Sequence, residues 1–249
     1  MISDTAYKRQ QLRILNTINQ GDCVEIMSLI PDLFVDCIIS DPPYGIGYDK
    51  WDKLNNDWLN QAYRVLKENG TIWCFAGWSN VGEVKKEIEK KFTLRNWVIW
   101  DRQKGRGAKY NFVSTREDIL WATKSDDYTF NRLSSNIEKK TKGMGLKNGD
   151  KYRKLSNVWT DISPIVPWSK ERVKHPTQKP LDLIKRLVAI STNKDEIVFD
   201  PFIGSGTTAV ACKELGRYYI GIEINPEYCQ MAEQRLAQEI LFSNLPKEP

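Results

Sequence analysis

The sequence predicts an α/β fold with a mostly parallel sheet and helices on both faces. Three observations predict it. Short apolar runs alternate with segments of helical spacing along most of the 249 residues. One of those runs, Val35–Ser40, is β-branched and nearly unbroken, the pattern of a strand buried on both faces. Near the C-terminus, EIVFDPFIGSGTTAVACKELGRYYIGIEIN reads as strand, glycine turn, helix and strand.

The elements follow in order. Residues 12–18 read as a strand, Gly21-Asp22 as the turn after it, and 23–30 as a short helix. The strand Val35–Ser40 ends at Asp41-Pro42-Pro43-Tyr44. Residues 55–67 have helical spacing, with apolar positions 58, 59, 62, 63, 65 and 66, and Asn69-Gly70 breaks that helix. A strand over 71–76, a charged helix over 80–90 and strands over 94–100 and 117–123 come next. Residues 125–172 lose periodicity and gather Asn, Ser, Lys and Gly, which reads as an inserted, loop-rich module. A helix returns over 180–190, then a strand over 197–199, a helix over 207–215, a strand over 218–222 and a closing helix over 226–240. The tail SNLPKEP should fray. The chain thus divides into residues 1–124, an insert over 125–172, and residues 173–249 that complete the first part.

Composition excludes several classes. With 41% apolar and 28% charged residues the chain is not intrinsically disordered. No apolar run approaches the roughly 20 residues that span a bilayer. The polar start, MISDTAYKRQQ, lacks a signal-peptide core, so a cytoplasmic protein without membrane contact is expected. Five cysteines without a CxxC pair, and a single His, predict neither a disulfide framework nor a metal site. The net charge of +5 is unevenly placed: residues 101–174 carry 17 Lys/Arg against 9 Asp/Glu, whereas the remainder carries 20 against 23. A basic stretch within a slightly acidic chain fits a polyanion surface; a solvated, Lys-rich loop region would look the same.

Two motifs carry chemistry. In the C-terminal unit, Gly204 and Gly206 allow a tight turn and close approach of a ligand, and Glu223 ends the next strand 19 residues after Gly204. An acidic residue there hydrogen-bonds ribose hydroxyls in nucleoside-binding βαβ units. The competing reading is a pair of capping or packing glycines. Only 26 residues follow Glu223, too few for the remaining strands, so the sheet must be permuted, its first two strands coming last in the sequence. The second motif, Asp41-Pro42-Pro43-Tyr44, stiffens a loop at the carboxyl end of a buried strand, where open α/β sheets bind ligands. It suits amine methylation. The lone pair of an aryl amine is delocalised into its ring, and two acceptors on the amino hydrogens draw it into an attacking form. The Asp41 carboxylate and Pro42 carbonyl are candidate acceptors, and Tyr44 a stacking platform. A rigid turn with a buried Tyr is the plain alternative.

With the proline loop upstream and FDPFIGSGTT downstream, the chain resembles the permuted, beta-type amino-methylating DNA methyltransferases over about residues 12–240. The resemblance implies a Rossmann-like, S-adenosylmethionine-dependent methyltransferase fold, with 125–172 as a target-recognition insert. It implies that Phe202, Gly204 and Gly206 line the methionine part of the cofactor, with Asp200 near its amino group. Thr207 and Thr208 would hold the carboxylate end, aided by the helix N-terminus. Glu223 would take the ribose hydroxyls and Asp22 the adenine amine of the cofactor. The segment HPTQKP, His175 to Pro180, resembles the stretch before the helix that closes the cofactor pocket. The DPPY form is usual for adenine, an SPPY-like form for the cytosine amine. Methylation of cytosine carbon 5 would need a Cys nucleophile in a Pro-Cys loop, and the chain has no Pro-Cys dipeptide.

A base inside a duplex hides its amine, so the target must be flipped out or single-stranded. Residues 102–109 are basic and glycine-rich and read as a mobile loop gripping phosphate through Arg102, Lys104, Arg106 and Lys109. Lys139, Lys140 and Lys142 lead the basic positions of the insert. Trp51 and Trp168 sit in polar segments that suit stacking on bases. His175 reads as a structural residue rather than a base. Partners expected are DNA, a cognate restriction endonuclease and a second copy of the chain. Methylation of the cytosine amine, of a protein glutamine amide, and a silent DNA-binding subunit are the alternatives.

Overall fold

The computed structural model describes residues 13–43, 57–106, 109–110, 112–138 and 152–243. Its strands are β1 (Thr17–Gln20), β2 (Val35–Ser40), β3 (Leu66–Ala76), β4 (Thr93–Arg106), β5 (Ser114–Thr123), β6 (Ser134–Glu138), β7 (Tyr152–Lys154), β8 (Val158–Trp159), β9 (Ile197–Asp200) and β10 (Tyr218–Glu223). The helices are α1 (Cys23–Met27), α2 (Asp57–Val65), α3 (Val81–Glu89), α4 (Leu181–Ser191), α5 (Thr207–Leu215) and α6 (Pro226–Ser243). Eight strands form one sheet in the order β1-β10-β9-β2-β3-β5-β4-β8, and only β5 runs against the others. The expected permutation is present. The late strands β9 and β10 slot between the early strands β2 and β1, in parallel on both sides.

β2 is buried at all six positions, as a strand covered on both faces must be. Its one charged side chain, Asp36, is satisfied by Lys67 at 2.7 Å and the Ile197 amide at 2.9 Å. One face of the sheet is covered by α4 and α5 over Trp73, Ile119 and Val198; the other by α1, α2 and α3 over Ile38, Ile72 and Phe199. Among the described residues no helix is long and apolar enough to cross a membrane.

Several boundaries differ from expectation, each for a local reason. The first strand begins at Thr17, not at 12: Arg13 and Ile14 are helical, and Asn16 turns the chain with a φ of 59°. β3 begins at Leu66, because the register shift between Val35 and Cys37 absorbs the residues around Asn69-Gly70. The stretch expected to be a mobile loop after 101 continues β4 as far as Arg106, which pairs with Ser114. A bulge at Gln103, φ 58°, with its amide on Asp101 Oδ1, makes that extension possible. α6 runs three residues past its expected end.

The insert over 125–172 holds its own two-stranded sheet, β6 with β7, yet both ends are sewn to the main body. The Asn131 side chain donates to the Ala189 and Thr192 carbonyls at the end of α4. β8 extends the sheet beside β4, and Asp161 takes a buried, two-pronged bond from Arg186 at 2.8 Å.

Candidate active site

β9 and β2 lie side by side, but the chain leaves β9 toward β10 and leaves β2 toward β3. That divergence opens a crevice beyond their carboxyl ends, the place where parallel α/β sheets bind ligands. A cavity of about 690 Å³ fills it. Its walls include Asp22 from the β1–α1 turn, Asp41, Pro42 and Pro43 from the end of β2, and Asp200, Phe202 and Gly204 from the β9–α5 loop. Thr207 and Thr208 from α5 and Glu223 from the end of β10 complete that set. Residues 180 positions apart in sequence thus share one wall, as the motifs required. Tyr44, Trp51, Lys139, Lys140 and Lys142 lie outside the described residues.

The β9–α5 loop is held from several sides. Gly204 has a φ of +50°, and a Cβ there would come within 2.9 Å of His175 Nε2. Its amide donates to Glu223 Oε2 at 3.0 Å, while the Asn225 amide donates to Oε1 at 2.9 Å. Gly206, φ +77°, caps α5, and a Cβ on it would meet Ala232 of α6 at 2.8 Å. The Thr207 hydroxyl contacts the Lys179 carbonyl at 3.3 Å and accepts from Arg235 at 2.8 Å. Asp22 caps α1, accepting from the Val24 and Glu25 amides.

Electrostatics distinguish the groups. Asp200 is buried, and burial pushes its pKa up to about 7, although bonds from the Thr208 hydroxyl at 2.5 Å and the Phe202 amide at 3.0 Å pull the other way. His175 packs its ring against Tyr228, centroids 4.4 Å apart, and its Nδ1 accepts from the Thr177 amide at 3.3 Å. Burial pushes its pKa down to about 4, against the pull of Asp41, so the ring is neutral at pH 7. That fits a structural residue.

Two groups escaped the sequence reading. Lys179 Nζ sits 2.6 Å from Asp41 Oδ2 and 3.3 Å from Glu117 Oε2, above the Phe75 ring. Burial pulls this ammonium down, but Asp41 and Glu117 more than offset it, so its pKa stands above the ordinary lysine value. Glu117 reaches the site because β5 is antiparallel, which brings its first residues to the edge where the other strands end. Arg102 faces Glu117 at 3.7 Å and donates to the Ser114 carbonyl at 3.1 Å, half-buried rather than open to solvent. Lys104 and Arg106 belong to β4, and Lys109 lies over the Tyr110 ring at the exposed hairpin tip.

A mostly parallel sheet with an acidic strand end, a glycine loop and a proline loop around one crevice defines a nucleoside-cofactor transferase of the methyltransferase kind. Residues 35–234 match the N6/N4 methyltransferase family, described as DNA methylase, and the chain belongs to that family. It is 35% identical over 233 residues to the type II methyltransferase M.HpaI of Haemophilus parainfluenzae, covering 88% of this chain and 73% of that protein. It is 36% identical over 242 residues to the DNA adenine methyltransferase YhdJ of Escherichia coli, covering 88% and 82%. The crystal structure of the M1.HpyAVI complex with S-adenosylmethionine superposes with a TM-score of 0.64 at 32% identity, covering 88% of this chain and 98% of that one. The cytosine-N4-specific PvuII methyltransferase shares the fold, with a TM-score of 0.65, at 18% identity.

Proposed function

We propose that this DNA methylase transfers a methyl group from S-adenosylmethionine to the exocyclic amine of adenine in DNA. One observation carries the reading: the Asp41-Pro42-Pro43 loop opens into the same cavity as Asp200, Gly204 and Glu223. The cavity suits the donor. Its volume is within the roughly 300–1,000 Å³ typical of small-molecule sites. Asp200, kept from full ionisation at neutral pH by burial, is a partner for a cationic amino group. Glu223, at the end of β10, is placed for vicinal hydroxyls. Bound there, S-adenosylmethionine supplies an electrophilic methyl group on a sulfonium.

The chain's own residues supply the rest. The Asp41 carboxylate and the Pro42 carbonyl accept the two amino hydrogens and localise the nitrogen lone pair. Pro42 and Pro43 fix their spacing, so the amine meets the methyl carbon in line. The nitrogen forms the new bond to carbon while the carbon–sulfur bond breaks with its electrons to sulfur, and the nitrogen then releases one proton to Asp41 or water. Tyr44 stacks on the base, which must be flipped from the duplex. The hairpin residues Lys104, Arg106 and Lys109, with Lys139, Lys140 and Lys142 of the insert, hold phosphates, whereas Arg102 is engaged by Glu117 and the Ser114 carbonyl.

The Asp-Pro-Pro-Tyr form and the identity to YhdJ favour adenine over cytosine. The type II relatives support a cognate restriction endonuclease as a functional partner, and a DNA substrate the bacterial cytoplasm as the compartment. A homodimer remains part of this proposal. The test is transfer of labelled methyl groups to DNA followed by nucleoside analysis. N6-methyladenine supports the reading. N4-methylcytosine would transfer it to the other amine, and label in protein but not DNA would reject it.

A further inference from the structure

We propose that Lys179 is a positioning residue that holds the Asp41 carboxylate ready in the free protein and steps onto Glu117 when the target amine arrives. The inference rests on Asp41 being the acceptor for that amine. In the free protein the ammonium is 2.6 Å from Asp41 Oδ2 and only loosely paired with Glu117 Oε2 at 3.3 Å. That Glu117 oxygen is buried and makes no hydrogen bond of ordinary geometry among the described residues, so it can receive the ammonium fully. Exchanging the 2.6 Å and 3.3 Å contacts is a shift of about 0.7 Å at each carboxylate.

The backbone at Lys179 is held, and two carboxylates lie within reach of its head. The Lys179 carbonyl faces the Thr207 hydroxyl at 3.3 Å, and Pro180 follows with an extended backbone at the start of α4. The ammonium lies 5.0 Å from the centre of the Phe75 ring, whose π face keeps a cation favourable at either carboxylate. A lysine head has three rotatable donors, so two acceptors can share it.

The reaction favours such a step. A cation kept on Asp41 weakens that carboxylate as an acceptor for an amine hydrogen, and the attacking nitrogen gains positive charge as the new bond forms. A cation left on Asp41 opposes that charge too. Arg102, 3.7 Å from Glu117, balances that carboxylate, so with Lys179 seated on Glu117 the Asp41 carboxylate is left as the charge that faces the nitrogen. Glu117 is thus the second seat of Lys179, and its charge counts even though it touches neither substrate.

The test uses the full-length protein, its DNA substrate and S-adenosylmethionine, with wild-type transfer to adenine as the reference. Absence of wild-type transfer would defeat the proposed function itself, separately from this inference. In Glu117→Gln, single-turnover transfer should fall at least tenfold while the dissociation constants for cofactor and DNA stay within about twofold. Lys179→Met should also slow transfer, and Lys179→Arg should recover part of the rate. The double variant Lys179→Met, Glu117→Gln should be no slower than Lys179→Met alone, because the second seat has no function without its lysine. Unchanged affinities also certify that the variants fold. A wild-type rate in Glu117→Gln, or multiplicative losses in the double variant, would overturn the proposal.

Discussion

On the proposed reading Asp41 meets the target amine while Asp200 and Glu223 hold the cofactor, so their substitutions should separate cleanly. Asp41→Ala should abolish methyl transfer and leave cofactor affinity within a few-fold of wild type, as measured by a tritium-transfer assay beside calorimetry. Asp200 gives a pH prediction. Its pKa in the free protein is raised to about 7, so below that pH it is mostly protonated, and binding a cationic amino group must expel the proton. Cofactor affinity should therefore fall as pH drops below about 7, by at most about tenfold per pH unit, with proton release visible as a buffer-dependent heat. Asp200→Asn should bind more weakly at pH 8 and show a flat profile from 6 to 8. His175, with its pKa lowered to about 4, adds no titration in that window. At this scale the sequence was legible where a motif is contiguous. Asp41 to Pro43, and Phe202 to Thr208, stand out as candidates because each motif lies within a few residues of a strand end, and the structure brings both to one cavity. Glu117 was not legible: within EDILWAT it reads as a polar residue opening a strand, and only the antiparallel pairing of β5 brings it to the crevice.

The β9–α5 loop is the element on which the cavity depends. Gly204 combines a left-handed backbone with contact to His175, which itself packs on Tyr228. Gly204→Ala should cost about 1–2 kcal/mol from the backbone alone, with a further loss from displacing the imidazole. Chemical denaturation checks the first effect; weaker cofactor binding, out of proportion to the stability change, checks the second. Denaturation at wild-type midpoint would show that the loop relaxes freely. β2 and β9 at the sheet's centre were read to within a residue, since burial on both faces forces an apolar run. The ends were not. β4 outran its apolar segment because a bulge at Gln103 lets polar residues keep pairing, and bulges leave no hydrophobic signature. The small strands of the insert were missed for the same reason: Tyr152–Lys154 has three residues and no alternation to read.

Across the whole molecule, charge and chemistry occupy different stretches of sequence. The excess of Lys/Arg lies in 101–174, whereas the cofactor motifs lie outside it. Replacing Lys139, Lys140 and Lys142 together by Ala should weaken DNA binding about equally for all sequences. It should also reduce the slope of log affinity against log salt by up to about three on duplex DNA. Cofactor affinity should stay unchanged, because these lysines are far in sequence from the cofactor motifs. An unchanged slope would leave the β4–β5 hairpin as the phosphate surface. The permutation was legible from one count, the shortage of chain after Glu223, and the sheet order agrees with it. That order also constrains how the protein comes into being. β2 pairs with β9, and β1 with β10, so the middle of the sheet and its first strand both wait for segments about 160 to 200 residues further on. On the ribosome, the early strands emerge long before their partners exist. Folding must then be completed largely after synthesis, across long loops whose closure is slow, and β2 must spend that interval with the edge that β9 takes and the face that α4 and α5 cover left open or in a chaperone's keeping.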